Sequence, residues 1–304
     1  MPPKYYPVPQ REPPLSPRLS LPTMYDLPSE APEEPGLPDE YHALQPQLLS
    51  RTFRSPRYSP EQIFTGTDLN LYYDVRHPLW HKRPDWFIAA GVPRLYDGSE
   101  LRSSYVVWQE GVNPFVVVEL LSPGTAREDL GDYAEAESES EKISADRPLT
   151  ETTSDAGNGQ AAQEIPPRKW EVYEQILRVP YYIVFSRYTN RLRFFELVGG
   201  HYQERELEAE NPRLWLPELE LGLGLWLGEF EGIHRCWLRW YDAEGNWIPT
   251  DAERERQRAE QAEGQLQRVV LNLLQQGMSV EQVANLTGLS EEQVRRSASR
   301  HLNF

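Results

Sequence analysis

Three stretches in the first half of the chain have the hydrophobic patterns of β-strands. Apolar and polar residues alternate over 68–75 (DLNLYYDV), the pattern of a strand with one buried face. The stretch 84–91 (PDWFIAAG) predicts a short strand that a proline introduces. The run 114–121 (PFVVVELL) is almost continuously apolar and β-branched, which is typical of a central strand covered on both faces.

A helix and three further strands are predicted between 169 and 207. Apolar residues recur at helical spacing over 169–177 (KWEVYEQIL), which predicts an amphipathic helix that ends before Pro180. Two strands, 181–186 and 191–198, follow around a short polar turn, and 201–207 predicts another strand. This order of elements indicates an α/β fold with a mixed sheet flanked by helices.

The C-terminal part has a different, helical pattern. A polar stretch, 251–276, has apolar residues at heptad spacing, namely Ala252, Ala259, Ala262, Leu266, Val269 and Leu273. Two short helices are predicted after it, at 279–286 and 291–299, because each starts with a Ser-x-x-Gln capping box. The turn between them contains Gly288, so the pair has the spacing of a helix-turn-helix.

Proline and charge divide the chain further. Residues 1–50 hold 13 of the 27 prolines, and we expect 1–40 to be a proline-rich, disordered N-terminus. Residues 132–167 have a net charge of −7 and no aromatic residue after Tyr133, which predicts a disordered acidic insertion. The predicted organisation is therefore a folded domain over 41–249, interrupted by this insertion, and a helical tail over 250–304.

The amino-acid composition of the chain excludes several classes of protein. The 304 residues carry a net charge of −16, which argues against binding nucleic acid by bulk attraction alone. The single cysteine, Cys236, excludes an internal disulfide and favours a reducing compartment, so we expect a cytoplasmic protein. The sequence contains no run of about 18 apolar residues, so no membrane span is predicted. The N-terminal residues lack the apolar core of a signal peptide.

Charged residues beside the predicted strands are candidates for chemistry. Asp85 stands at the head of one strand, Glu119 lies inside the apolar run and Lys169 opens the next helix. A buried carboxylate is costly unless it is paired or binds a cation. Two carboxylates from neighbouring strands can hold a hard divalent metal, and a nearby lysine can orient or deprotonate the attacking water or stabilise developing charge. The pattern predicts a minimal phosphodiesterase site.

The same residues carry a resemblance to a known family. The segments RPDWFIAAGVP, FVVVELLSPGTAREDLG and KWEVYEQILRVPYYIVFS resemble the Uma-type restriction endonucleases of the PD-(D/E)XK nuclease superfamily. Asp85 matches the PD element and Glu119 the acidic residue of the E-x-K element, whose lysine position is Leu121 here. The resemblance implies a restriction-endonuclease-like fold and a catalytic lysine displaced to Lys169, four residues before Tyr173.

The lysine and the supporting residues leave alternatives open. In typical members the lysine follows the D-L-G turn almost directly, so the segment 132–168 is an insertion and Lys142 is a second candidate. Lys169 is preferred because Lys142 lacks both a tyrosine at +4 and an apolar period. Asp129 and Tyr173 are candidates for supporting the site, and His77 for approaching the substrate. A zinc site is not expected, because Pro78 separates His77 from His81.

Three functions compete at this point. The first is a Mg²⁺- or Mn²⁺-dependent endonuclease that hydrolyses DNA phosphodiester bonds. The second is a catalytically weak or inactive nuclease-fold protein with a regulatory or DNA-associated role, and the third is an acidic interaction protein. The heptad pattern supports a homodimer through the C-terminal helix, whereas Arg295, Arg296 and Arg300 of the last helix could instead meet DNA phosphates. Glu291 and Glu292 in its first turn oppose DNA contact.

Overall fold

The structure is a computed structural model that describes residues 39–122, 125–134 and 165–301. Most of the predicted disordered N-terminus, most of the acidic insertion and Lys142 lie outside these residues. The chain divides into two compact units between Asn246 and Trp247. None of the described helices is long and apolar enough to cross a membrane.

A six-stranded mixed sheet is the centre of the first unit. Its strand order is β1-β4-β6-β7-β8-β9, in which only β6 and β7 are parallel neighbours. The strands of this sheet are β1 (Ile63–Thr67), β4 (Trp86–Ala90), β6 (Val116–Leu120), β7 (Tyr181–Ser186), β8 (Arg191–Val198) and β9 (His201–Glu204). This architecture confirms the predicted α/β, restriction-endonuclease-like fold class.

Two smaller sheets complete the strands of this unit. One contains β3 (His81–Lys82), β2 (Leu71–Tyr72) and β5 (Tyr105–Val106), in that order. The other is antiparallel and contains β10 (Arg213–Leu216), β11 (Leu221–Phe230) and β12 (Ile233–Tyr241). The predicted strand 68–75 was too long, because Asp68 adopts a left-handed backbone (φ 48°) and only two residues pair.

The helices of the first unit lie on both faces of the large sheet. They are α1 (Glu40–Thr52), α2 (Val107–Glu110), α3 (Ala126–Leu130) and α4 (Lys169–Glu171), and α4 continues as a π-helical turn over Val172–Ile176. Tyr182 and Val184 of β7 belong to the core cluster that also contains Trp170 and Tyr173 of the α4 segment. On the opposite face Tyr41 of α1 stacks on Trp237 of β12. Residues of β7 therefore alternate between two aromatic-rich layers.

The second unit contains three helices with their own small core. They are α5 (Asp251–Gln275), α6 (Val280–Thr287) and α7 (Glu291–His301), close to the predicted bounds. Thr250 and Ser279 cap α5 and α6 through capping boxes. Val270, Val283 and Val294 are fully buried against one another, one from each helix.

Candidate functional site

Glu119 lies at the centre of a buried polar cluster. It occupies β6 on the same face as Val117, towards the α4 segment, and its side chain is fully buried. Its two carboxylate oxygens have different partners. Lys169 Nζ donates to Oε2 at 2.8 Å, and the Tyr173 hydroxyl donates to Oε1 at 2.8 Å. The four-residue spacing of Lys169 and Tyr173 places both on one side of the helix, so one helical turn holds both carboxylate oxygens.

Asp85 joins the cluster through the backbone of β6. It directly precedes β4, whose first residue Trp86 pairs with Val118, and this register places Asp85 beside Glu119. The backbone N–H of Leu120 donates to Asp85 Oδ2 at 2.6 Å, and the Asp85 N–H donates to Glu119 Oε2 at 3.4 Å. Antiparallel pairing of β4 with β6 thus fixes the two acidic residues next to each other.

Asp129 is the third carboxylate. It lies in α3, is almost completely buried, and its Oδ1 stands 3.3 Å from Lys169 Nζ. Among the described residues this oxygen has no hydrogen-bond partner. The next turn depends on Gly131, where φ is +53° and a Cβ would lie 2.9 Å from the Trp170 ring. A side chain at position 131 would push α3 away from the start of α4.

The charges of this cluster are unbalanced. With all groups ionised, the carboxylates of Asp85, Glu119 and Asp129 surround a single ammonium group. Burial raises the pKa of Glu119 well above its usual value, and Asp129 and Asp85 add to the shift while Lys169 opposes it. Burial also raises the pKa of Asp85, against the opposing effect of Lys169 and His42. In its fully ionised state the cluster would hold more negative charge than its own lysine can neutralise.

Lys169 stays charged in this setting. Burial on its own favours the neutral amine, but the charges of Asp129, Glu119 and Asp85 outweigh it and raise the pKa of Lys169 well above its usual value. The side chain remains 20% exposed, whereas Glu119 is fully buried and Asp129 is 3% exposed. Lys169 and the half-buried Asp85 are therefore the members of the cluster that reach towards solvent.

Two residues that the sequence analysis did not single out hold the cluster in place. Glu128 Oε1 accepts hydrogen bonds from the backbone N–H of Lys169 at 3.0 Å and from Lys82 Nζ at 2.6 Å. It thereby fixes the first residue of α4, where backbone N–H groups need partners. The signal available in the sequence was its position beside Asp129 in the REDLG turn, but pairing with Lys82, 46 residues away, has no local signature.

His42 supports the cluster from α1. Its Nε2 lies 2.9 Å from the carbonyl oxygen of Leu120, and its Nδ1 lies 2.9 Å from Asp39 Oδ1. Burial favours the neutral ring, but the hydrogen bond to Asp39 and the charge of Asp85 raise the net pKa of His42. An imidazole placed this way ties α1 to the end of the strand that carries Glu119.

His77 has other neighbours. Its Nδ1 lies 2.9 Å from Asp74 Oδ2, and its ring stacks on Trp80 with centroids 3.8 Å apart. The structure brings Asp85, Glu119, Asp129, Lys169 and Tyr173 together and places His77 in the loop between β2 and β3.

The donor set suits a hard divalent cation, although the geometry is not preformed. The described residues contain no group of three or more His, Cys, Asp or Glu side chains arranged to hold a metal ion. The available donors are carboxylate oxygens, which Mg²⁺ prefers. Asp129 Oδ1 is ion-paired with Lys169 but has no hydrogen-bond partner within the described part of the chain. In chemistry and in charge, the cluster therefore fits Mg²⁺ or Mn²⁺.

One comparison with known proteins gives a match. A family model described as Uma2, putative restriction endonuclease, matches residues 20–228. The matched range includes every residue of the cluster and ends before the helical tail. Neither the curated proteins nor the solved structures include a significant match to this chain.

Proposed function

Because the chain belongs to the Uma2 family of restriction endonucleases, we propose that it is a metal-dependent endonuclease that hydrolyses DNA phosphodiester bonds at this cluster. The observation that carries the proposal is the convergence of the Asp129 and Glu119 carboxylates on Lys169 Nζ, with Asp85 bonded to the strand that carries Glu119. Strongly perturbed charged groups of this kind concentrate at functional sites.

Each residue has a role in this proposal. The carboxylates of Asp85 and Glu119 would hold the divalent cation, which when bound offsets phosphate charge and favours ionisation of water. The Lys169 ammonium would donate hydrogen bonds to the scissile phosphate, because its raised pKa favours a cation over a proton acceptor. Tyr173 holds Oε1 of Glu119 and keeps that carboxylate oriented.

Buried ion clusters also occur in proteins without enzymatic activity, so the second candidate is a nuclease-fold protein without catalysis. The observation that favours it is the ammonium of Lys169, which already bonds to Glu119 and pairs with Asp129. A regulatory or DNA-associated protein would keep this cluster for stability alone. The two candidates differ in whether folded protein cleaves DNA.

The test is cleavage of supercoiled plasmid DNA by the full chain with Mg²⁺ or Mn²⁺, and with a chelator as the blank. We expect nicked and linear products from the wild type, and a rate at least about 100-fold lower for Asp85→Asn and for Glu119→Gln. The matched control is Glu110→Gln, which alters a buried carboxylate paired with Arg102 outside the cluster.

Circular dichroism must show that all three variants are folded. Equal rates in the wild type and in Asp85→Asn or Glu119→Gln would contradict the proposed site. A folded wild type that cleaves neither plasmid nor linear duplex DNA with either metal would contradict the nuclease and favour the second candidate.

A further inference from the structure

The long helix α5 has an apolar heptad stripe that its own unit covers only at the C-terminal end, at Leu273. Its 25 residues span about 38 Å at about 1.5 Å per residue. The heptad positions along it include Leu266, which is 37% exposed, and Val269, which is 48% exposed. The alanines of the stripe, at 252, 259 and 262, are also exposed.

The small core of the second unit is centred on Val270 of the same helix and takes in only the last residue of the stripe, Leu273. Val270 is fully buried against Val283 and Val294, whereas its neighbour Val269 points elsewhere and stays exposed. The stripe is thus exposed from Ala252 to Val269 while α6 and α7 are packed, and Leu266 lies beside a cleft that Leu289 also lines. Apolar residues repeating every 3.5 positions are the pattern by which two helices pair along a seam.

We propose that α5 pairs with α5 of a second copy of this chain as a parallel, in-register coiled coil along this stripe. Ala252, Ala259 and Leu266 would occupy the a positions, and Glu255, Ala262 and Val269 the d positions. The small alanines at the N-terminal end allow close approach of the two backbones, and Leu266 and Val269 supply most of the apolar area.

Charges beside the stripe support both the partner and the direction. In a parallel pair, a g residue of one helix faces the e residue five positions later in the other helix. Arg258 of one copy would then face Glu263 of the second copy, and Asp251 would face Arg256. Both pairs are of opposite sign, and such flanking pairs select partner and orientation in coiled coils.

An antiparallel pair would lose the contacts of Arg258 and Asp251, because g positions then face g positions and e positions face e positions. It would keep only the pair of e residues Arg256 and Glu263. At present Arg258 pairs with Glu255, and Arg256 with Glu260, within the same helix. All four side chains are more than 60% exposed, so these bonds are weak and can exchange for contacts to a second helix.

The charge of the second unit argues against DNA as the occupant. Arg295 pairs with Glu291 and Arg296 with Glu292 on α7. From residue 250 onward the chain has a net charge of −1. A duplex would meet no excess of positive charge there, and phosphate contacts supply much of the affinity of DNA-binding proteins.

The test is sedimentation equilibrium of the full chain from about 1 to about 100 μM, the range in which a micromolar Kd is read directly. We expect a dimer for the wild type and at least a 100-fold rise in Kd for the double variant Ala259→Glu/Val269→Glu. The control, Gln257→Glu/Gln261→Glu, adds the same two charges to exposed positions off the stripe and should dimerise as the wild type does.

Charge exchange tests the direction of the pair. Arg258→Glu and Glu263→Arg should each weaken the dimer at least tenfold, and both changes in one chain should restore it. An antiparallel pair predicts no loss in Arg258→Glu and no recovery in the double variant, and that result would overturn the orientation. A monomeric wild type at about 100 μM, or an unchanged dimer in Ala259→Glu/Val269→Glu with helicity retained, would overturn the pairing itself.

Discussion

Lys169 neutralises part of a charge that three carboxylates create. Its Nζ contacts Glu119 and Asp129 at 2.8 and 3.3 Å, and Asp85 adds a third negative charge nearby. Removing one partner of a buried ion pair leaves uncompensated charge, which costs far more than the pair itself contributes. The lysine is therefore important for stability whether or not the protein cleaves DNA.

Lys169→Met should lower the free energy of unfolding by about 2–4 kcal/mol at pH 7. The loss should shrink as the pH falls, because the raised pKa values of Glu119 and Asp85 let these carboxyls take up protons early. Urea unfolding at pH 7 and pH 5 measures both effects. Lys82→Met, which removes an ammonium paired with Glu128, is the control and should cost less. Equal losses at both pH values would argue against charge as the cause.

The Asp39–His42 pair gives α1 a pH dependence. The pKa of Asp39 is about 2, because bonds and charges from His42 and Arg187 outweigh the effect of burial. The lowered pKa of Asp39 contributes stability above about pH 4, which is lost as the pH falls towards 2. The raised pKa of His42 contributes stability that is complete below about pH 6.5 and is lost as the pH rises through the folded-state value.

We therefore expect wild-type stability to decline above about pH 6.5, by about 1.4 kcal/mol for each unit of pKa difference at His42. His42→Gln should be less stable at pH 6 and should lack this decline. Thermal melts between pH 5.5 and 8.5 measure the difference. If the melting temperatures of the two proteins change with pH in the same way across that range, His42 is uncharged in the fold.

At the scale of elements, the π-helical turn after α4 determines how Glu119 is held. Val172–Ile176 begins three residues after Lys169 and contains Tyr173, whose hydroxyl bonds to Glu119. Irregular π turns are rare and often occur at functional sites. The turn therefore belongs to the machinery that orients the carboxylate.

Tyr173→Phe should lower stability by about 1–3 kcal/mol, because Glu119 Oε1 loses a donor in a buried site. It should also lower the rate of plasmid cleavage. The control is Tyr105→Phe, which removes a hydroxyl bonded to the carbonyl of Val112 and should leave cleavage unchanged. If both variants cleave at the wild-type rate, Tyr173 has a structural role only.

The sequence predicted some strands accurately and did not predict others. The bounds of β7 and β8 agree with the prediction, because their apolar runs are interrupted by a clear polar turn. The sheet of β10–β12 and the helix α1 were not predicted. Gly222 and Gly224 interrupt the strand-like sequence pattern of β11, and in the structure the side chains of Tyr241 and Arg213 fill the space beside them. Pro46 lies inside α1. Tertiary packing allows glycine and proline at these positions of a strand and a helix. The local sequence pattern does not reveal such packing.

The candidate site was predictable only in part, for a related reason. Asp85, Glu119, Lys169, Asp129 and Tyr173 were all named as candidates from their placement in apolar segments and from the family resemblance. Glu128 and His42 were missed, since their partners Lys82 and Leu120 are 46 and 78 residues away. Contacts at such separations depend on how α1 and α3 pack against the strands, which the hydrophobic periodicity of each segment does not specify. The catalytic and metal-binding roles themselves stay predictions.

At the scale of the whole molecule, the two proposals rest on different units of the chain. The match covers 20–228, so it bears on the first unit alone, and the pairing of α5 rests on the second unit alone. Failure of the dimer would leave the nuclease proposal intact, and the reverse also holds. A dimer would bring two copies of the cluster into one particle, as many nucleases that cut both strands of a duplex require.

Metal binding at Asp85 and Glu119 is the central claim, and anomalous diffraction from crystals soaked in Mn²⁺ tests it most directly. We predict an anomalous peak within about 2.0–2.6 Å of carboxylate oxygens of both residues in the wild type. The peak should be absent from crystals of Glu119→Gln. Mn²⁺ bound elsewhere, with no peak at this cluster in a wild type that cleaves DNA, would contradict the account.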